Sequence, residues 1–409
     1  MLVRAEGTAE GAEERRGGLT MERSQHRILT THAGSLPRSK ELLELLVHKS
    51  RREPVDAVAF AAAVEQSTRH VITGQLEAGV DVGNNGEQPR ESFFTYVQHC
   101  MSGFAGIGHR PIMRDIVHFQ SFLEIKLPDF SRTMVSLGQT PKAVGKVEYV
   151  DRSIIETECA DYRRILAAQP SRFTETFMTA PSPGIIALAM LNEFYPSTDA
   201  YLAAVADALQ TEYEYIIAQG HILQIDGPDL AMERHTTYAD RPVAEFVAFV
   251  DQTVAAINRA ITNVPRDRVR LHVCWGNYEA PHQFDVPLDD ILPHLYAANV
   301  GALMLSMANP RHEYEYRCFA RHPLPKEMLL IVGAIDTTTN YVEHPEVVAD
   351  RIERVVNVVG DPHRVLAGTD CGFATSAGLG EVAEEVVWEK LRALRAGADL
   401  ATHRLFGRP

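Results

Sequence analysis

Short apolar runs recur along the chain, and most are trailed by a stretch with the 3.6-residue period of an amphipathic helix. Ile28 to Arg38 reads as a buried strand that ends in a Gly34-Ser35 turn and is stopped by Pro37, which cannot join a ladder. Amphipathic helices follow over 39–50 and 55–78, and Gly79 to Glu87 reads as the second strand with its loop. Further strands are expected at 173–179, 221–226, 269–277, 303–307, 329–336 and 364–370. Helices are expected at 184–193, at 198–219 behind a Ser197 or Thr198 cap, and at 240–263, 344–359 and 380–397.

Between 90 and 171 the pattern loosens around Gly103, Gly106 and Gly108, with a ribbon expected at 143–150 and a helix at 153–168. A long insertion of this kind is expected to cover the mouth of a site. The alternating strands and helices predict an α/β fold, a (β/α)8 TIM barrel with a long insertion after the second strand. The rival is a doubly wound open sheet, but no Gly-x-Gly-x-x-Gly loop follows the first strand. Residues 1–26 lack period and apolar content and are expected to be a disordered extension, with Met21 as an alternative start; residues 27–403 form the single catalytic domain.

Of the 409 residues, 45% are hydrophobic, which allows a large core. Asp and Glu number 54 against 40 Lys and Arg, for a formal charge of -14, and no basic run is interleaved with aromatics, so nucleic acid is not an expected partner. No apolar run is long enough to span a bilayer, and no membrane partner is expected. Five scattered cysteines do not make a disulfide framework and suit a reducing cytoplasm. The oligomeric state is not legible.

In a barrel the strand C-termini carry the site, and polar residues cluster there: Ser35, Glu87, Asp226, His272, Cys274, Asp336, Asp370 and Cys371. His272 and Cys274 alternate along a strand and so share a face, and Cys371 ends a second strand of the same layout. One imidazole and two thiolates suit Zn²⁺ with an open fourth position, where an incoming thiol becomes a nucleophile at neutral pH. The alternative is two structural cysteines beside a hydrogen-bonded core histidine. Glu87 and Asp226 could grip a substrate ammonium, Asp370 could orient His272 or a backbone group, and Asp336 divides evenly between site and structure.

Thr31-His32-Ala33-Gly34-Ser35-Leu36-Pro37, Gly86-Glu87, Gln224-Ile225-Asp226-Gly227-Pro228, His272-Val273-Cys274 and Asp370-Cys371-Gly372 occur in order and spacing. From about 27 to 400 the chain thereby resembles the catalytic barrel of the cobalamin-independent methionine synthase family. The resemblance implies zinc on His272, Cys274 and Cys371, a substrate carboxylate at Gly34 and Ser35, and a substrate amine between Glu87 and Asp226. It implies a transferase in methionine biosynthesis that moves a methyl or other alkyl group to a small thiol such as homocysteine.

The chain departs from that pattern in three ways. The family's glutamate ligand aligns with Ser306, its proton-donating histidine after Asp336 is replaced by Thr337, and its folate-binding N-terminal half has no counterpart. Polyglutamyl methyltetrahydrofolate is therefore not the expected donor, since loss of a general acid costs roughly 10²–10⁴ in rate; a corrinoid-bound methyl group is among the candidates. A second reading, similar to epoxyalkane:coenzyme M transferases, has His312 or Tyr278 protonating an opening epoxide. A zinc-free enzyme resembling uroporphyrinogen decarboxylase, or a non-catalytic thiol-binding barrel, are the remaining alternatives.

Overall fold

The computed structural model describes residues 20–130, 135 and 139–407. Seven parallel strands lie in one sheet in chain order: β1 (Val82–Gly83), β4 (Glu175–Pro181), β5 (Ile222–Asp226), β6 (Val269–Val273), β7 (Ala302–Leu305), β8 (Leu329–Ile335) and β9 (Val365–Thr369). Thr30 and Thr31 bridge the two edges, one pairing with Ala367 of β9 and the other with Val82 of β1, both parallel. Thr31 N–H donates to Ala367 O at 2.9 Å and Val82 N–H to Thr30 O at 2.9 Å, so the eight-stranded barrel is closed. No described helix is long and apolar enough to cross a membrane.

Helices alternate with the strands, and local sequence sets their ends. Ser39, Asp56 and Ser197 cap the helices Lys40–Ser50, Ala57–Glu77 and Thr198–Ala218 by accepting first-turn N–H groups, and Gly360 ends Pro345–Val359 in the left-handed conformation. The apolar faces of these helices pack on the strands, while Leu29, Phe177, Met304, Ile331 and Leu366 fill the lower barrel interior. Met21 joins that lower cluster, with its N–H donating to Asp267 O at 3.0 Å, so the chain already lies against the barrel floor before residue 27. Residues 1–19, most of the stretch expected to be a disordered extension, lie outside the described residues.

The insertion follows β1. Its ribbon pairs β2 (Phe104–Ala105) with β3 (Lys142–Ala143), antiparallel, and Met101 with Tyr149; the segment expected as a ribbon at 143–150 thus finds its partners at 101–105. Two helices, Arg114–His118 and Gln120–Phe130, lie between β2 and β3 in the chain. The sequence pattern missed both, as it missed Leu288–Leu295, whose interior Pro293 reads as a breaker.

Candidate metal centre

Asp226 at the end of β5 stands directly opposite His272 on β6 in the sheet register, and Cys274 follows one residue past the end of β6. Cys371 lies just past the end of β9. The barrel closes these strand ends on one another: Sγ of Cys274 and Sγ of Cys371 are 3.7 Å apart, and with the His272 imidazole the ligand atoms lie within 4.8 Å of one another. All three side chains are buried, and among the described residues this is the group of His, Cys, Asp and Glu side chains that could hold a metal ion. All five cysteines are free thiols.

The charges around the cluster suit a cation. The Cys371 thiol donates towards Cys274, which holds Cys274 well below the ordinary thiol range and drives Cys371 well above it. Burial lowers the His272 pKa, but the bond to Asp226 and the neighbouring Cys274 outweigh it and raise it to about 10. The Asp226 Oδ1 lies 3.0 Å from His272 Nδ1 and accepts Gln224 Nε2 at 2.7 Å. Gln224 is held in turn by Arg270, whose Nε donates to Gln224 Oε1 at 2.7 Å from the barrel interior, over the Phe177 ring.

A chamber of about 390 Å³ opens beside the cluster, and Ser35, Glu87, Asp226, His272, Cys274 and Cys371 all face it. Gly34 backs it at φ +125°, where a Cβ would stand 2.6 Å from Thr179 Cγ2 and 2.7 Å from Glu87 Oε1, so a side chain does not fit. Ser35 Oγ accepts from Ala374 N–H at 3.3 Å. Glu87 sits at φ 57°, unusual for a non-glycine residue, and its Oε2 is buried without a hydrogen bond. Burial, then the charge of Asp226, raises the Glu87 pKa to about 7. An unpartnered buried carboxyl facing a second carboxylate is a site that calls for a cation.

The other expected residues have different partners. A second cavity of about 400 Å³ meets the first at Gly276, Asn277, Tyr278 and Cys371, and Ser306, His312 and Asp336 line it. Ser306 Oγ donates to Asp370 O at 2.7 Å. The Asp370 carboxylate accepts the N–H groups of Met307, Ala308 and Asn309 at 2.8–2.9 Å and so fixes the loop after β7, while its backbone oxygen lies 3.3 Å from His272 Nε2. Asp336 Oδ1 accepts both N–H and Oγ1 of Thr338 at 2.8 Å. His312 binds Asp285 at 2.8 Å and Glu315 at 2.9 Å through its two nitrogens, and Tyr278 OH donates to Asp115 at 3.2 Å. Gln224 and Arg270 were not singled out from the sequence; the available signal was a polar residue two positions before Asp226 and before His272, on the same strand face.

Residues 172–394 match the family model described as the catalytic domain of cobalamin-independent synthase. The chain belongs to the cobalamin-independent methionine synthase family. Among its relatives, methionine synthase of Sulfurisphaera tokodaii is 23% identical over 347 residues, covering 84% of this chain and 85% of that protein. Methionine synthase of Saccharolobus solfataricus is 24% identical over 381 residues, covering 92% and 95%. The fold is that of the B12-independent methionine synthase from Shewanella sp. W3-18-1, with a TM-score of 0.71 at 20% identity over 93% of this chain and 100% of that one.

Proposed function

We propose that this protein is a zinc-dependent cytoplasmic S-methyltransferase or S-alkyltransferase whose acceptor is an amino-acid thiol, homocysteine by preference, and whose catalytic domain spans residues 27–403. The observation that carries this reading is the 3.7 Å separation of two buried sulfurs beside His272, at the edge of a chamber that also holds Glu87 and Asp226. Two sulfurs at about 2.3 Å from one tetrahedral zinc would be about 3.8 Å apart. A disulfide would need about 2.05 Å. Zinc bound by His272, Cys274 and Cys371 would keep a substrate thiol ionised and nucleophilic at neutral pH. Glu87 Oε2 and the chamber side of Asp226 would take the substrate ammonium, and Ser35 with the Gly34 turn would take its carboxylate. Asp226 at the same time holds the His272 ring, so substrate amine and metal ligand share one anchor.

The chamber's charge separates this reading from one with a sulfonate-bearing thiol. Glu87 and Asp226 would repel the sulfonate, and Arg110, the guanidinium on the chamber wall, is already paired with Glu233. Among the described residues that line the chamber no other guanidinium or ammonium is present, and this, with Thr337 in place of a histidine, argues against a polyglutamyl folate as donor. The test is metal analysis of the purified protein followed by turnover with homocysteine and a panel of methyl donors, methylcobalamin among them. About one zinc per chain and zinc-dependent loss of the free thiol are expected. A protein without stoichiometric metal that leaves homocysteine untouched would sink the proposal.

A further inference from the structure

The chamber beside the thiols has two unlike ends. At one, Glu87, Asp226 and Ser35 present oxygen atoms. The remaining lining is mostly hydrocarbon, with Phe93 and Phe94 from the loop after β1 and Ile112, Met113, Ile116 and Leu123 from farther along the inserted segment, beside the Glu233-paired Arg110. Phe94 and Ile116 are almost wholly buried, so this wall is anchored by packing. The volume of about 390 Å³ is more than twice the roughly 150 Å³ of an apolar cavity that takes up benzene. An amino-acid head at the oxygen end therefore leaves apolar space unfilled.

We infer that the apolar end accepts an uncharged hydrocarbon group attached to sulfur, so that the inserted segment selects alkyl donors with a neutral, apolar body and admits thioether products larger than S-methyl. This rests on the proposed role of Glu87 and Asp226 as the amine site. Burial of each further methylene against this wall should tighten binding by about fourfold. The probes are methionine and the S-ethyl, S-propyl and S-butyl homologues of homocysteine, titrated calorimetrically into the full-length protein as purified. Affinity is expected to climb with each carbon, and Met113→Gln, which places an amide on the wall, should flatten the climb. Affinity that is level or falls beyond S-methyl overturns the inference, as does a climb that Met113→Gln leaves intact. A parallel series of 3-(alkylthio)propionates, which lack the amine, separates the two readings. If both series climb equally and the amine adds nothing, the hydrocarbon site stands and the amino-acid assignment falls.

Discussion

Asp226 and His272 face each other across adjacent strands, with Oδ1 and Nδ1 3.0 Å apart. Nε2 lies 3.3 Å from Asp370 O; with a metal bound there, the bond to Asp226 would keep the proton on Nδ1, the usual arrangement of a carboxylate behind a histidine ligand. Asp226→Asn keeps the shape and removes the charge. Metal affinity measured by competition with a chromophoric chelator should fall about 10–100-fold. An affinity within threefold of the wild type would show that Asp226 does nothing for the ligand.

Cys371 and Cys100 are both buried free thiols, but only the first is at the cluster. Cys100 Sγ instead contacts Val97 O at 3.5 Å within the insertion. Cys371→Ser should lower bound zinc well below one per chain, because a hydroxyl is a poor substitute for a thiolate ligand. Cys100→Ser should leave the zinc content unchanged. Equal zinc in both variants would remove Cys371 from the ligand set.

Glu87 makes ligand binding pH-dependent. Burial and Asp226 raise its pKa to about 7 from 4.5, so in the free protein it carries a proton below that value. An ammonium ligand needs the carboxylate, so methionine should bind more tightly as pH rises from 6 to 8. Glu87→Gln should weaken binding at pH 8 and abolish the slope. The same shift has a stability consequence of known sign. A carboxyl whose folded pKa lies above its unfolded one binds more protons when folded, so its ionisation costs stability progressively as pH rises from about 4.5 to about 7. The amide variant should therefore unfold at a higher urea concentration than the wild type at pH 8, with less difference at pH 4.5. A methionine affinity that does not change between pH 6 and 8 would contradict the assignment.

The parts of this fold that were legible are those that a one-dimensional period encodes. Val269–Val273 and Val365–Thr369 are short apolar runs ending in Cys-containing turns, and alternation alone placed His272 and Cys274 on one face. Closure then brought in Cys371, which spacing could only suggest. Asp370 was expected to orient His272 or a backbone group, and its carboxylate holds the backbone of the loop after β7. The pairing of Asp226 with His272 depends on strand register, which no local pattern fixes, so the sequence offered Asp226 for a substrate amine without its bond to the imidazole. The inserted helices were hidden for a different reason: their apolar residues face a chamber and solvent as well as core, which breaks the amphipathic period.

His312 is the hub of a buried charge network whose effect on stability can be dated by pH. Its Nε2 meets Asp285 at 2.8 Å, its Nδ1 meets Glu315 at 2.9 Å, and its ring stacks on Trp275 with centroids 4.1 Å apart. Burial lowers its pKa, but the two carboxylates outweigh this and raise it from 6.5 to about 9. For a base with a raised folded pKa the stabilisation is complete below about 6.5 and is lost as pH climbs through about 9. Asp285 runs the other way: burial opposes its ionisation, but His282 and His312 hold it at about 2, so its contribution is present above 3.8 and is lost as pH falls through 2. The pair is thus strongest between about pH 4 and 6.5. His312→Gln should lower the unfolding free energy by about 3 kcal/mol at pH 6, where it removes the cation shared by two buried carboxylates and leaves them His282 and the Leu288 N–H. The gap between variant and wild type in urea unfolding should narrow markedly at pH 9.5, when the wild-type imidazole has lost its proton. Trp275 supplies an independent reporter, since in a Trp388→Phe background its fluorescence should titrate with the same midpoint near 9. A gap of equal size at pH 6 and pH 9.5, with a pH-invariant Trp275 signal, would mean that His312 is held neutral and that the loop after β7 is fixed by Asp370 alone.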